Sequence, residues 1–424
     1  MNILIVSLEA WRDTNNGGNV LSNIFSDFPN ARIAQVFCSG ELPQNSVCQR
    51  YFQISESMLL SSQRGRILEE RDYGSDSSPC SEILENRVKS RVPGFFREAA
   101  LLARELLWVF FNWKTPELET FVRDFKPDVI FAPCYSYFHV SKLALHVQSI
   151  AQCPMISYIS DDNYSLKRLC FFPSFWINRL ITRKWIRRHF SACSLVYTMT
   201  DMQKNEYEAK LGRPMKVLCK SAEFTSREKE VGSPIRFIYA GGLYLNRWKV
   251  LSKLAEAIRE VNETEIRAEL HIYSGSKLKP RQTSRLNDGQ HSFLHGAIPF
   301  SELTERYRKS DVAIHAESFD LKNRLITRLS FSTKIIDCMN SGCAILAVGP
   351  TTQAGMSYLK ENDAAVCVGD LKDLNAAVRR ITDHPALIPE YAEKATLLGK
   401  RNHVKSQIDK ELWQDFLCIV SKTP

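Results

Sequence analysis

The sequence predicts an α/β protein built as two halves. Three observations predict it. Short apolar runs, read as buried strands, alternate with amphipathic helical stretches from the first residues onward. The alternation is interrupted by a charged segment ending in Gly-Ser-Pro, Glu223 to Ser233, and restarts at Ile235. The chain has 424 residues, too many for one typical core, so two domains are expected.

Composition narrows the class. A hydrophobic content of 44% and a charged content of 24% are ordinary for a soluble globular protein. The opening run Asn2 to Ser7 is too short, and lacks the basic leader, to be a secretory signal. A spanning helix needs about eighteen uncharged apolar residues, and the best stretch, Ala99 to Trp113, contains Arg104 and Glu105. Twelve cysteines occur with no C-x-x-C pair and no clustered histidines, which predicts neither a zinc site nor a disulfide framework. A reducing cytoplasm is the simpler expectation. The net charge of +9 calls for an anionic partner: nucleic acid, a phosphorylated substrate or anionic lipid all fit that number.

In the first half, the strand at Asn2 is followed by Asn15-Asn16-Gly17-Gly18-Asn19 and a helix over Val20 to Phe28. Strand, Gly-Gly turn and helix let backbone approach a phosphate, although the sequence is not G-x-G-x-x-G and a plain βα loop is the alternative. Arg32 to Cys38 reads as the second strand. Residues 39 to 90 are polar and Ser-rich, with loops and short helices expected. Phe95 to Phe111 is a helix whose apolar face is predicted as Phe95, Ala99, Leu102, Leu106, Val109 and Phe110. Thr115-Pro116 starts another, with an N-cap hydroxyl and proline at the first position. Val129 to Ala132 and Met155 to Ile159 are further strands around a helix at Val140 to Ile150.

Asp161-Asp162 follows one of these strands directly, at the strand end where open α/β sheets bind ligands. Either carboxylate is a candidate for proton transfer, and a helix cap or Asx-turn is the alternative. Phe171 to Phe190 interleaves aromatic and aliphatic residues with Arg179, Arg183, Lys184, Arg187 and Arg188. This is the pattern of a membrane-surface helix, or of a helix packed on its domain with a cationic outer face. No nucleic-acid recognition motif accompanies it. A strand at 194–200, a capped helix at Asp201 to Leu211 and a strand at Lys216 to Leu218 close this half.

The second half opens with a strand at Ile235 to Ala240. Gly241-Gly242 then leads through Arg247 and Lys249 into a helix at Val250 to Val261. Two glycines and two cations make this loop suit a phosphate, with exposed basic residues on a plain turn as the alternative. Strands at Ala268 to Tyr273, Phe293 to Ile298 and Val312 to His315, and a helix at Phe300 to Lys309, follow. Next comes Ser330 to Pro350. Ser332 or Thr333 is placed to cap a short helix, Gly342 to end it, and Ala344 to Val348 to form a buried strand. Hydroxyls, Lys334 and a helix start suit a phosphate, and Asp337 suits sugar hydroxyls. The alternative is a capped helix with Lys334 and Asp337 as a solvated pair.

GGLYLNRWKVL from Gly241, HGAIPFSELTERY from His295 and STKIIDCMNSGCAILAVGP from Ser332 together resemble motifs of family-4-like glycosyltransferases of bacterial surface-polysaccharide synthesis. The resemblance implies the GT-B architecture, two facing Rossmann-like domains with the active site in the cleft between them. It implies an acceptor domain over 1–222, a nucleotide-sugar-binding domain over 234–400, and a last helix in 401–424 crossing back. Sugar transfer from a nucleotide-sugar to an acceptor is then the expected reaction, with retention and with neither metal nor other cofactor; a nucleotide-sugar epimerase of the same architecture and a non-catalytic nucleotide-binding scaffold are the alternatives. A lipid-linked acceptor and a peripheral place on the inner face of the cytoplasmic membrane go with the segment 165–190.

Residue by residue, the resemblance puts Arg247 and Lys249 on the donor diphosphate, with Gly242, Ser332, Thr333 and Lys334 beside them. Gly17 and Gly18 match the Gly-rich loop facing the diphosphate from the other domain. Ile298 falls where the base is touched. Asp337 takes the place of the second Glu of the family's Glu-x7-Glu pair, and the first falls on Leu329. The acceptor-side His has no obvious counterpart; Asp162 lies in that region.

Overall fold

The computed structural model describes residues 1–13, 16–61, 63–68, 94–225 and 230–422. They divide into two units: Met1–Leu166, Cys170–Leu218 and Ile408–Pro424 form one, Lys167–Leu169 and Cys219–Gln407 the other.

The first unit is a single sheet with helices on it. Its strands are β1 (Asn2–Ser7), β2 (Arg32–Phe37), β3 (Arg50–Gln53), β4 (Arg66–Leu68), β5 (Val129–Pro133), β6 (Met155–Ile159), β7 (Leu195–Thr198) and β8 (Lys216–Val217). They lie in the order β4-β3-β2-β1-β5-β6-β7-β8, parallel except for β4. The helices are α1 (Asn16–Phe25), α2 (Glu56–Leu60), α3 (Gly94–Phe110), α4 (Pro116–Phe125), α5 (Phe138–Ala151), α6 (Pro173–Ala192) and α7 (Asp201–Leu211). β1 and β5 are apolar along most of their length and buried on both faces, as strands covered by helices must be. α4 starts as its local chemistry requires: the Thr115 hydroxyl accepts from the Leu118 amide at 3.4 Å and Pro116 fills the first turn.

Three expectations for this unit are corrected. Residues 50–53 and 66–68 form strands at one side of the sheet, 66–68 at its edge, where loops and short helices were expected, and 62 and 69–90 of that stretch lie outside the described residues. α1 begins at Asn16, so Gly17 and Gly18 are in its first turn and not in a loop. A Cβ on Gly18 would stand 2.0 Å from the Arg12 carbonyl oxygen, so helix packing demands this glycine. α3 buries Arg104, Glu105 and Trp108, while Val109 and Phe110 face solvent. Polar partners decide that face: Arg104 pairs with Glu56, and Glu105 shares a hydrogen bond with His139.

The last helix, α16 (Lys405–Ser421), contributes Phe416 to the core of this unit. Phe416 lies 5.3 Å from Phe28 and 6.1 Å from Phe25, ring centre to ring centre. Asp415 accepts from the Tyr197 hydroxyl at 2.6 Å and pairs with Lys216.

The second unit has six parallel strands: β9 (Ile235–Ala240), β10 (Ala268–Tyr273), β11 (Ser292–His295), β12 (Val312–Ala316), β13 (Ala344–Val348) and β14 (Val366–Val368). Their order is β11-β10-β9-β12-β13-β14. Counted within the unit this is 3-2-1-4-5-6, the doubly wound order of Rossmann folds. Helices α8 (Arg247–Val261), α9 (Pro280–Leu286), α10 (Phe300–Arg308), α11 (Leu321–Thr327), α12 (Lys334–Met339), α13 (Ala354–Glu361), α14 (Leu374–Asp383) and α15 (Leu387–Asn402) complete it. The apolar stripe of α8 (Leu251, Leu254, Ile258) packs on Phe237, Leu270 and Ile272 of the sheet. Gly342 ends the α12 turn with φ of 72°, and β13 is buried throughout.

Candidate active site

A 3-2-1-4-5-6 sheet opens a crevice where its winding reverses, at the carboxyl ends of the first and fourth strands. Here those strands are β9 and β12, and the residues that follow them directly are Gly241 and Glu317. Gly241 has φ of 153°, and a Cβ on it would sit 1.9 Å from the Lys334 ammonium nitrogen. Gly242 is needed for a different neighbour, since its Cβ would meet the Tyr244 ring at 2.2 Å. The two glycines thus clear the way for Lys334 and Tyr244.

Around this point five side chains meet. Arg247, in the first turn of α8, donates to both Glu317 oxygens, at 2.9 and 3.1 Å. Both residues are buried. Burial opposes the guanidinium charge, but Glu317 outweighs it and holds the pKa above its ordinary value. Glu317 is itself braced, because Gly349 lets its Cβ approach where any larger residue would clash at 2.8 Å. His315 lies 3.9 Å from Glu317, yet burial pushes its imidazole down to about 4, so it is neutral at pH 7. Lys334 is half-buried, with its ammonium 6.0 Å over the Tyr239 ring. Burial first, then Arg247, lowers its pKa. Among the described residues Lys334 has no hydrogen-bonded carboxylate. Two cations, one carboxylate and one neutral imidazole leave this cluster with one surplus positive charge.

Farther out the charges cancel. Lys249 is half-exposed and pairs with Asp320 at 3.3 Å. Asp320 also accepts from Asn246 at 2.6 Å, which helps hold Leu245 and Asn246 in their left-handed conformations. Asp337 pairs with Lys220 at 2.7 Å, so Lys334 and Asp337 are not the solvated pair that their spacing allowed. Thr333 is helical and makes no side-chain cap; the carbonyls of Ser332 and Thr333 accept from Ile335 and Ile336 instead. The expected hydroxyl cap is thereby corrected: α12 closes through its own backbone. Ile298 is half-buried in the loop after β11. Leu329, at the position of the family's first Glu, is fully buried in the core.

Glu317, His315, Asp320 and Lys220 had no assigned role in the sequence reading. The available signal was the His-Ala-Glu-Ser-Phe-Asp run, residues 315–320, at the end of β12.

Gly17, Gly18 and Asp162 belong to the first unit. Asp162 is fully buried, and its carboxylate accepts from the Ser165 amide at 2.9 Å and the Tyr207 hydroxyl at 3.1 Å. Arg179 donates to the Asp162 and Ser165 carbonyls. A carboxylate so enclosed organises its loop, and the proton-transfer role expected for Asp162 does not fit this placement. At the switch point of this sheet, after β5, stands His139 instead. Its Nδ1 is 2.7 Å from Glu105, its ring stacks on Trp108 at 4.5 Å, and its Nε2 is buried without a partner. Glu105→Ala removes both acceptors of His139 and should destabilise the protein by about 1–3 kcal/mol, read by urea denaturation.

Among the described residues no group of three or more His, Cys, Asp or Glu could hold a metal ion, and no helix is long and apolar enough to cross a membrane.

Residues 234–384 match the family model of the group 1 glycosyl transferases.

That segment contains the whole Arg247–Glu317–Lys334 cluster. No curated protein matches the chain in sequence. Solved structures do match its fold. Sucrose-phosphate synthase from Thermosynechococcus elongatus has a TM-score of 0.64 at 12% identity, covering 99% of both chains. Anabaena Alr3699/HepE in complex with UDP has a TM-score of 0.60 at 12% identity, covering 99% of this chain and 100% of that one. TarM has a TM-score of 0.55 at 12% identity, covering 71% of this chain. The match spans 57% of the TarM chain. At this identity the likeness establishes the fold: two parallel-sheet α/β domains of the GT-B type. With the group 1 match it supports a glycosyltransferase.

Proposed function

We propose that this glycosyltransferase moves a sugar from a nucleotide-sugar donor to a saccharide acceptor, with retention and without metal or other cofactor, in surface-polysaccharide synthesis. The observation that carries the donor reading is the surplus positive charge at the β9/β12 switch point. A lysine held under glycine, with its pKa lowered by burial and by Arg247 and with no hydrogen-bonded carboxylate, is relieved by an anion. A diphosphate would supply that anion. Among similar folds, Anabaena Alr3699/HepE has been solved with UDP-glucose, and the pneumococcal O-GlcNAc transferase GtfA with UDP and GlcNAc.

The chemistry is departure of a nucleoside diphosphate from an anomeric carbon. Negative charge grows on the leaving phosphate as the sugar becomes oxocarbenium-like. Arg247 and Lys334 are preorganised to meet that charge, and the loss of either should lower the rate by about 10²-fold or more. Lys249 is committed to Asp320 at the surface, so its share is smaller than the sequence implied. Asp337, with Ser332, Thr333, Gly242 and Ile298, is assigned to the donor's ribose, phosphates and base. Gly17 and Gly18 keep the donor-side role that the resemblance implies. A lipid-linked acceptor and peripheral contact with the inner face of the cytoplasmic membrane follow from the cationic segment 165–190.

A thermal-shift screen against UDP, GDP, CDP and ADP tests the donor site. At about a hundred times its dissociation constant, a nucleotide bound only by the folded state adds about 2.7 kcal/mol of stability. One nucleotide should stand out, Asp337→Ala should reduce the shift, and Lys249→Ala should leave most of it. A flat response to all four would remove the donor reading.

A further inference from the structure

We infer that the outer face of α6 is a phosphate-headgroup site for a membrane lipid: a cationic pocket floored by Tyr164 with an apolar margin. A cavity of about 750 Å³ is lined there by Tyr164, Leu180, Arg183, Lys184, Arg187 and Arg188, together with two small residues of the same helix. The site is built, because its floor fixes two of its cations. Tyr164 is buried; the Arg183 guanidinium stacks 4.2 Å over its ring and donates to its carbonyl. Arg187 donates to the Tyr164 hydroxyl at 2.9 Å. Arg188 leans on Trp185, at 4.9 Å from the ring centre.

None of the four cations forms an ion pair among the described residues. Arg183 with Arg187, and Lys184 with Arg188, are like charges four residues apart, a spacing that destabilises a bare helix. A bound polyanion reverses that repulsion. Four convergent cations around one cavity, two of them pinned, match a phosphate better than they match bulk solvent.

The apolar side chains select a lipid over a soluble phosphate. Leu180 stands in the cavity wall and is 56% exposed; one turn earlier Ile177 is 51% exposed, and Phe171, just before the helix, is 88% exposed. Cations at one end of a helix face and large bare hydrophobics at the other are what an interfacial helix presents to headgroups and acyl chains. The inference deepens the lipid-linked acceptor reading and rests on it for why a lipid would be bound, but its test uses no donor.

The test is flotation of the full-length protein with phosphatidylcholine vesicles, with and without phosphatidylglycerol, for wild type and for the double variant Lys184→Glu/Arg188→Glu. Wild type should float only with the anionic vesicles, and the variant should bind them more than about tenfold less well. Inorganic diphosphate should release wild type at concentrations where sodium chloride of equal ionic strength does not. Equal flotation with neutral vesicles, no flotation with either, or equal release by matched salt would each overturn the site. A single-stranded RNA oligonucleotide that binds as tightly as the anionic vesicles would overturn it too, by reassigning the surface. An unchanged thermal midpoint in the variant separates a lost site from a misfolded chain, and the nucleotide screen stands or falls separately.

Discussion

Arg247→Ala should both destabilise the protein and abolish transfer. Truncation leaves the Glu317 carboxylate buried with the guanidinium that bonds both its oxygens gone. Removing one member of a buried ion pair destabilises by about 3–5 kcal/mol, because an uncompensated charge stays behind. On the proposed donor site the same change also removes a cation that would meet the leaving phosphate, so turnover should fall by about 10²-fold or more in whatever protein remains folded. Arg247→Lys is the informative companion. It keeps the charge but loses the rigid planar guanidinium whose Nη2 reaches both oxygens, so it should recover part of the stability and little of the activity. Urea denaturation and a donor-consumption assay on the two variants read these effects. Full activity in folded Arg247→Ala would remove Arg247 from the donor site.

Lys334→Met should act in the opposite sense on stability. The ammonium is desolvated, repelled by Arg247 and without a bonded carboxylate, so its charged form is strained in the folded state. The thioether chain fills a similar volume without that charge, and the empty protein should hold its stability or gain slightly. Nucleotide binding and turnover should nonetheless fall, turnover by about 10²-fold or more.

The pH dependence carries the same signature. The folded pKa of Lys334 lies below the ordinary lysine value of 10.5, so between the two the unfolded chain binds more protons. Wild-type stability therefore gains from this group as pH rises through that window, and the penalty is full below the folded pKa. Donor affinity runs the other way, since the anion prefers the ammonium, and should weaken as pH rises through the same range. Lys334→Met should lose both dependences. A variant as unstable as Arg247→Ala would mean that Lys334 holds the fold together instead of waiting for a ligand.

The sequence by itself determined the alternation of strands and helices, and with it the α/β class. Ile235–Ala240, Ala268–Tyr273, the Thr115-Pro116 start and the Gly342 stop all stand where local pattern puts them. Such signals are legible because burial on both faces, capping and left-handed turns act within a few residues. The Gly241-Gly242 and Arg247 motif was legible for the same reason: it is one βα loop.

Only the tertiary structure decided which charges cancel. Glu317 meets Arg247 across 70 residues of chain, and Lys220 meets Asp337 across 117. The first meeting depends on where β9 and β12 end side by side, the second on where Lys220 lies against α12, and no local pattern encodes either. They leave Lys334, and not Lys249, as the cation of the pair without a bonded carboxylate. The same logic buried Asp162 inside its own loop and turned α3 to hide Arg104 and Glu105 in place of Val109 and Phe110. A carboxylate or guanidinium reads as exposed until its partner is known, because only a partner makes its burial affordable.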